Sequence, residues 1–148
     1  MEGIIFIGIQ ASGKSTFYKQ NFFNTHVRIS MDLLNTRNKE SQLLNKCIEL
    51  QQKVVIDNTN PTVDERKKYI KCLKDAKYKV ISYYFQSKIK DSIARNEGRE
   101  AKEKIPQVGI FSTFKKMELP SLNESYYQIY YVEIIDNNFV IKEWEDEV

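Results

Sequence analysis

A chain of 148 residues, 41% of them hydrophobic, suggests one globular domain over residues 1–148 with a core of its own. No apolar run approaches the ~20 residues of a membrane span, the Met1-Glu2 start is not a secretory signal, and Cys47 and Cys72 lack metal-site spacing, which argues for free thiols in a reducing cytoplasm. The net charge of +3 is uneven: residues 62–104 hold thirteen basic and seven acidic side chains and residues 117–148 one basic and eight acidic, so the middle of the chain suits polyphosphate or nucleic-acid partners, or else its lysines merely solvate a helix.

The first apolar run, Ile4–Ile7, reads as a strand and leads into Gly8-Ile9-Gln10-Ala11-Ser12-Gly13-Lys14-Ser15, with a helix expected over 15–22. The pattern G-x-x-x-x-G-K-[ST] between strand and helix is a phosphate-binding loop. Its glycines let the backbone curl so that successive N–H groups point at a phosphate, and the helix dipole adds to the same spot. Gly8, Gln10, Ala11, Ser12, Gly13, Lys14, Ser15 and Thr16 are therefore the candidate nucleotide-binding residues. Lys14 is expected on the β- and γ-phosphates of ATP and the Ser15 hydroxyl on Mg²⁺.

A second strand, Val27–Ser30, runs into Met31-Asp32. A carboxylate just beyond that strand is placed to take the proton of an attacking hydroxyl; alternatively it caps a short helix from 33 onward. His26, beside this strand, reads as a lone surface or edge histidine. After a helix at 39–52, the run Val54-Val55-Ile56-Asp57 ends in the carboxylate of a Walker-B strand, a second candidate Mg²⁺ residue, or in a plain Asx turn. Asn60-Pro61-Thr62 is a start signal, with Thr62 as N-cap, for a helix at 62–77 whose Val63, Arg66, Ile70, Leu73 and Ala76 fall near one face.

A fourth strand is expected at Lys79–Phe85 and a helix at 88–97. Arg95 and Arg99, four apart, would share a helix face. With the charged stretch to Ile105-Pro106 they suit a short lid over about 95–106, able to bring an arginine to a transferring phosphoryl group; without the phosphate loop they would read as solvated ion-pair formers. A helix at 107–117 and strands at Ile129–Ile135 and 139–144, joined by Asp136-Asn137-Asn138, complete the chain with a hairpin. Tyr126, Tyr127, Tyr130 and Tyr131, in or beside a strand, would put half their rings in the core and half on the surface, so packing is the default reading and base stacking the alternative. The alternation predicts an α/β three-layer sandwich with a mostly parallel five-stranded sheet and ligands at the strands' carboxyl ends.

Together these residues resemble the kinase domain of polynucleotide 5′-hydroxyl kinases, including the kinase half of polynucleotide kinase–phosphatases. The similarity is carried by Gly8–Thr16, Ser30-Met31-Asp32, Val54–Pro61, Arg95-Asn96-x-x-Arg99 with Ile105-Pro106, and Phe114–Glu124, which span almost the whole chain. The resemblance implies a P-loop kinase fold that moves the ATP γ-phosphate to a 5′-hydroxyl of DNA or RNA. It implies Lys14, Asp32 and Arg99 as catalytic residues, Asp32 being the general base, with Arg95 on the nucleotide and Ser15 and Asp57 toward Mg²⁺. Many members carry an acceptor-binding arginine three residues after the base; here Asn35 stands there and Arg37 lies nearby. No Asp-x-Asp-x-Thr phosphatase motif occurs, so a phosphatase or ligase partner would be a separate chain. A kinase of a small hydroxylated metabolite or nucleoside, and a nucleotide-gated switch protein, are the alternatives.

Overall fold

A computed structural model of the chain describes residues 1–145; the end of the acidic tail, residues 146–148, lies outside the described residues. Strand β1 (Glu2–Ile7) alternates between two cores. Ile5 and Ile7 face one side with Leu44, Ile70 and Leu73, while Ile4 and Phe6 face the other with Phe17, Tyr18 and Phe22. A strand buried on both faces needs helices on both faces, and these complete the three layers. Helix α1 (Lys14–Asn21) covers one side; α3 (Arg37–Glu49) and α4 (Val63–Asp75) cover the other.

The sheet adds β2 (Val27–Ile29), β3 (Val54–Ile56), β4 (Lys79–Phe85), β5 (Gln128–Ile135) and β6 (Asn138–Glu143) in the order β2-β3-β1-β4-β5-β6. Five strands are parallel; β6 runs antiparallel to β5. The expected hairpin thus joins the sheet itself, giving six strands rather than five. Its turn uses Asp136 and Asn137 with φ of 51° and 63°, left-handed conformations that Asp and Asn tolerate better than most side chains.

Two local features depart from the sequence reading and a third fills it in. First, a four-residue helix, α2 (Met31–Leu34), begins at Asp32's neighbour, with Ser30 as its N-cap; the Ser30 hydroxyl accepts from the Asp32 N–H at 3.2 Å. Second, His26 is buried. Its ring bonds Glu2 at 2.9 Å and Thr25 at 2.6 Å, and it packs edge-on against Phe22. Third, Arg66 on the apolar stripe of α4 is fully buried. Its guanidinium donates to Thr62 O (3.0 Å) and Glu118 O (2.7 Å) and lies 3.4 Å from the buried Glu124 carboxylate, tying the 118–124 segment to α4. Thr62 caps that helix as expected, its hydroxyl accepting from Glu65 N–H at 3.1 Å.

Candidate active site

The loop after β1 has two left-handed residues, Ala11 (φ 59°) and Gly13 (φ 99°). Gly13 is the N-cap of α1 and makes no side-chain cap, so the N–H groups of Lys14, Ser15 and Thr16 at the first turn have no acceptor within the helix. That is the donor arrangement a phosphate requires. At Gly8 a Cβ would lie 2.8 Å from Ser12 Oγ and 2.9 Å from Phe85 Cβ, so only glycine fits without displacement.

Neighbouring elements brace the loop. Gly8 N–H donates to Thr59 O (3.1 Å), Gln10 Nε2 to Thr113 Oγ1 on α6 (Gln107–Lys116) at 2.9 Å, and Arg95 Nε to Ala11 O at 2.6 Å. The Lys14 ammonium turns onto the loop's own carbonyls, Gly8 O (3.0 Å) and Ile9 O (2.7 Å). Burial pushes its pKa from 10.5 down to about 8; Asp57 and Asp32 oppose the drop and Arg99 adds to it. All three charges therefore lie within electrostatic reach of Lys14.

Lys14, Ser15, Asp32, Asp57 and Arg99 line one cleft of about 290 Å³, along with Gln10, Ala11, Gly13 and Thr16. Gly8, Ser12 and Arg95 lie outside that lining; Ser12 and Arg95 instead line a separate small pocket with Lys88 and Asp91. Asp57 is buried at the end of β3; Asp32 is exposed. Ser15 Oγ donates to Asp57 Oδ2 at 3.1 Å. A hydroxyl beside a carboxylate at a phosphate loop is a hard-oxygen donor set that suits Mg²⁺, whose remaining ligands are ordinarily phosphate oxygens and water. Among the described residues no cluster of three or more His, Cys, Asp or Glu could hold a metal by protein ligands alone.

The two arginines do not share a helix face. Helix α5 (Ile89–Glu97) ends at the C-cap Gly98, so Arg95 stays on its last turn while Arg99 lies beyond it and turns into the cleft. Asn96, buried, closes the intervening segment at its base: Nδ2 donates to Ile105 O (2.6 Å) and Oδ1 accepts from Ile105 N–H (2.8 Å). The expected lid is thus a loop pinned at both ends by one asparagine.

Sequence reasoning missed Glu40, Tyr69 and Arg28. Glu40, buried on α3, accepts from Arg37 (3.1 Å), the Tyr69 hydroxyl (2.7 Å) and Asn58 Nδ2 (2.8 Å), while Asn58 Oδ1 accepts from Met31 N–H (2.9 Å). Burial and the bond to Glu40 push the Tyr69 pKa upward, which keeps its phenol a donor. This network fixes the turn carrying Asp32. Arg37, held by it, reaches the cleft lining. Arg28 on β2 donates to Asp57 Oδ2 at 2.7 Å and to Ser15 Oγ at 3.0 Å. The signal for Arg28 was present as a charged residue between Val27 and Ile29 on a strand.

Loop, sheet order and cleft define a P-loop kinase-type nucleotide fold. Solved structures agree: a gluconokinase from Sinorhizobium meliloti 1021 matches with TM-score 0.63 at 15% identity over 89% of this chain and 82% of its own. A chain of the Pnkp1/Rnl/Hen1 RNA repair complex matches with TM-score 0.63 at 20% identity over 78% of this chain and 43% of its own. No family model matches the chain. In sequence it is similar to the bifunctional polynucleotide phosphatase/kinase of Schizosaccharomyces pombe (strain 972), 24% identical over 84% of this chain and 32% of that protein. It is also similar to a putative bifunctional polynucleotide phosphatase/kinase of Acanthamoeba polyphaga mimivirus, 37% identical over 52% of this chain and 18% of that protein. The chain is thus polynucleotide kinase-like in sequence and P-loop kinase-like in fold, and it spans about a third or less of the curated relatives it matches. No described helix is long and apolar enough to cross a membrane.

Proposed function

We propose that this chain transfers the γ-phosphate of ATP to the 5′-hydroxyl end of DNA or RNA. The observation that carries the reading is the convergence of the phosphate loop, Asp32, Arg37 and Arg99 on one cleft. The cleft continues through Arg37, Asn58 and Thr59 into an outer groove lined by Lys68 and Lys116. A polymer carries further phosphates along such a path; a small acceptor has none to place there.

The loop N–H groups, Gln10, Ala11, Ser12, Gly13, Lys14 and Thr16 cradle the ATP phosphates, with Arg95 bracing the loop beside them. Ser15 and Asp57 would hold Mg²⁺, which supplies charge neutralisation on the β- and γ-phosphates when bound. Asp32 takes the proton of the acceptor hydroxyl as its oxygen bonds to the γ-phosphorus and the bond to the β-phosphate oxygen breaks. Arg99 neutralises charge on the phosphoryl group in flight.

Asn35 stands where the resemblance would put the acceptor arginine, and the nearby guanidinium that reaches the cleft is that of Arg37. Asn35 is the left-handed C-cap of α2 (φ 67°), where an arginine would be strained, and the first residue of α3 carries the guanidinium instead. Asp32→Ala tests the mechanism: nucleotide binding persists and transfer to 5′-hydroxyl oligonucleotides is lost. Unchanged transfer removes Asp32 as the base, whereas slow ATP hydrolysis without transfer to any acceptor in the parent protein favours the nucleotide-gated switch. Arg37→Ala tests the acceptor class by raising the oligonucleotide KM and flattening its salt dependence. Acceptor binding indifferent to salt in the parent protein favours a small hydroxylated metabolite or nucleoside.

A further inference from the structure

We propose that Arg28 is a resident cation of the phosphate site that competes with Mg²⁺ for Ser15 and Asp57 and must swing aside before a metal-nucleotide is seated. The proposal rests on the assignment of those two residues to Mg²⁺ given above.

Val27 and Ile29 on β2 pack against the core beneath α3 and α4. Arg28, between them, points to the opposite face of the sheet, where the first turn of α1 lies. Among the described residues β2 is the edge of the sheet, with β3 as its one neighbouring strand. Its guanidinium closes a triangle of three bonds: Nε to Asp57 Oδ2 at 2.7 Å, Nη2 to Ser15 Oγ at 3.0 Å, and Ser15 Oγ to Asp57 Oδ2 at 3.1 Å.

The two oxygens Arg28 engages are the two protein oxygens offered to the metal. The Asp57 side chain is only 2% exposed, and a buried carboxylate needs a positive partner. Lys14 is turned toward loop carbonyls, so Arg28 fills that need. A dication brought to the same hydroxyl and carboxylate would face a guanidinium at close range. Arginine does not lose its proton in proteins, so the repulsion is relieved by movement and not by titration. The Arg28 side chain is 26% exposed, against 2% for its partner, which provides a way out toward solvent. Arg28 then acts as a placeholder that keeps Asp57 satisfied and the Ser15 hydroxyl oriented between turnovers.

The test uses Mn²⁺ as a paramagnetic substitute for Mg²⁺, titrated with saturating ADP and followed by the electron paramagnetic resonance of protein-bound metal. Arg28→Gln should bind Mn²⁺ about tenfold more tightly than the parent protein, with Arg28→Lys between them and Asp57→Asn abolishing protein-bound metal. Equal or weaker Mn²⁺ binding by both Arg28 variants, with Asp57→Asn still abolishing it, overturns the proposal while leaving the metal assignment standing. Absence of protein-bound Mn²⁺ in every protein removes the metal assignment and the proposal together. The Arg28 Nε–H resonance of the parent protein supplies a readout that needs no variant. It should be slow to exchange alone and lose its protection on adding Mg²⁺ and ADP; retained protection with nucleotide and metal bound overturns the proposal.

Discussion

Nucleotide affinity should depend on pH through Lys14. Burial lowers its pKa from 10.5 to about 8, and that drop corresponds to about 3 kcal/mol of penalty on the charged form. Phosphate oxygens favour the charged form, so binding raises the pKa again and takes up a proton. Affinity is then flat below the free value of about 8 and falls above it. The protonated fraction drops about tenfold between pH 7 and 9 and about tenfold more by pH 10, and association constants should follow. The same shift means that unfolding takes up a proton between about 8 and 10.5, so the residue's contribution to stability grows as pH rises through that window. A fluorescent ADP titration from pH 7 to 10 reads the affinity, and calorimetry at pH 8.5 in buffers of different ionisation enthalpy reads the proton. Lys14→Arg, permanently charged, should flatten the profile whatever its absolute affinity. A parent profile that is flat to pH 10, with no proton uptake, refutes the reasoning.

Other expectations follow from the same contacts. Arg66→Ala strands the buried Glu124 carboxylate and should cost about 3–5 kcal/mol in a denaturant melt; a loss under 1 kcal/mol would mean that solvent reaches this pair. Asn35→Gly relieves the left-handed C-cap and should leave the midpoint nearly unchanged or raised, whereas Asn35→Val should cost about 1–2 kcal/mol; equal stability of the two would contradict the cap assignment. Glu40→Gln weakens the bonds holding Arg37, Tyr69 and Asn58. It should cost about 2 kcal/mol of stability and lower phosphoryl transfer while leaving ADP affinity unchanged, and a parallel loss of ADP affinity would show that the network supports the whole loop rather than the Asp32 turn.

Elements written in local chemistry were legible from the sequence. The β1 apolar run, the phosphate loop, Thr62 before α4 and the Asp136–Asn138 turn each carry their geometry in adjacent residues, and the observed elements fall where those residues put them. What was not legible depends on distant partners. Nothing near Glu40 indicates that Tyr69 and Asn58 converge on it from α4 and the end of β3. The Arg95–Arg99 spacing looks helical, but α5 stops at Gly98 and the two Asn96–Ile105 bonds, nine residues apart, turn the chain so that Arg99 leaves the helix axis. His26 reads as an edge residue because Glu2, which satisfies its ring, is twenty-four positions away. Arg28 reads as a polar strand residue because only the fold brings α1 and β3 to it.

The central claim is most directly tested by incubating the protein with γ-labelled ATP, Mg²⁺ and matched DNA and RNA oligonucleotides bearing either a 5′-hydroxyl or a 5′-phosphate. Label should appear on the 5′-hydroxyl strands only and vanish in Lys14→Ala and Asp32→Ala. No label on any oligonucleotide, from protein that still binds ATP, would contradict a nucleic-acid acceptor.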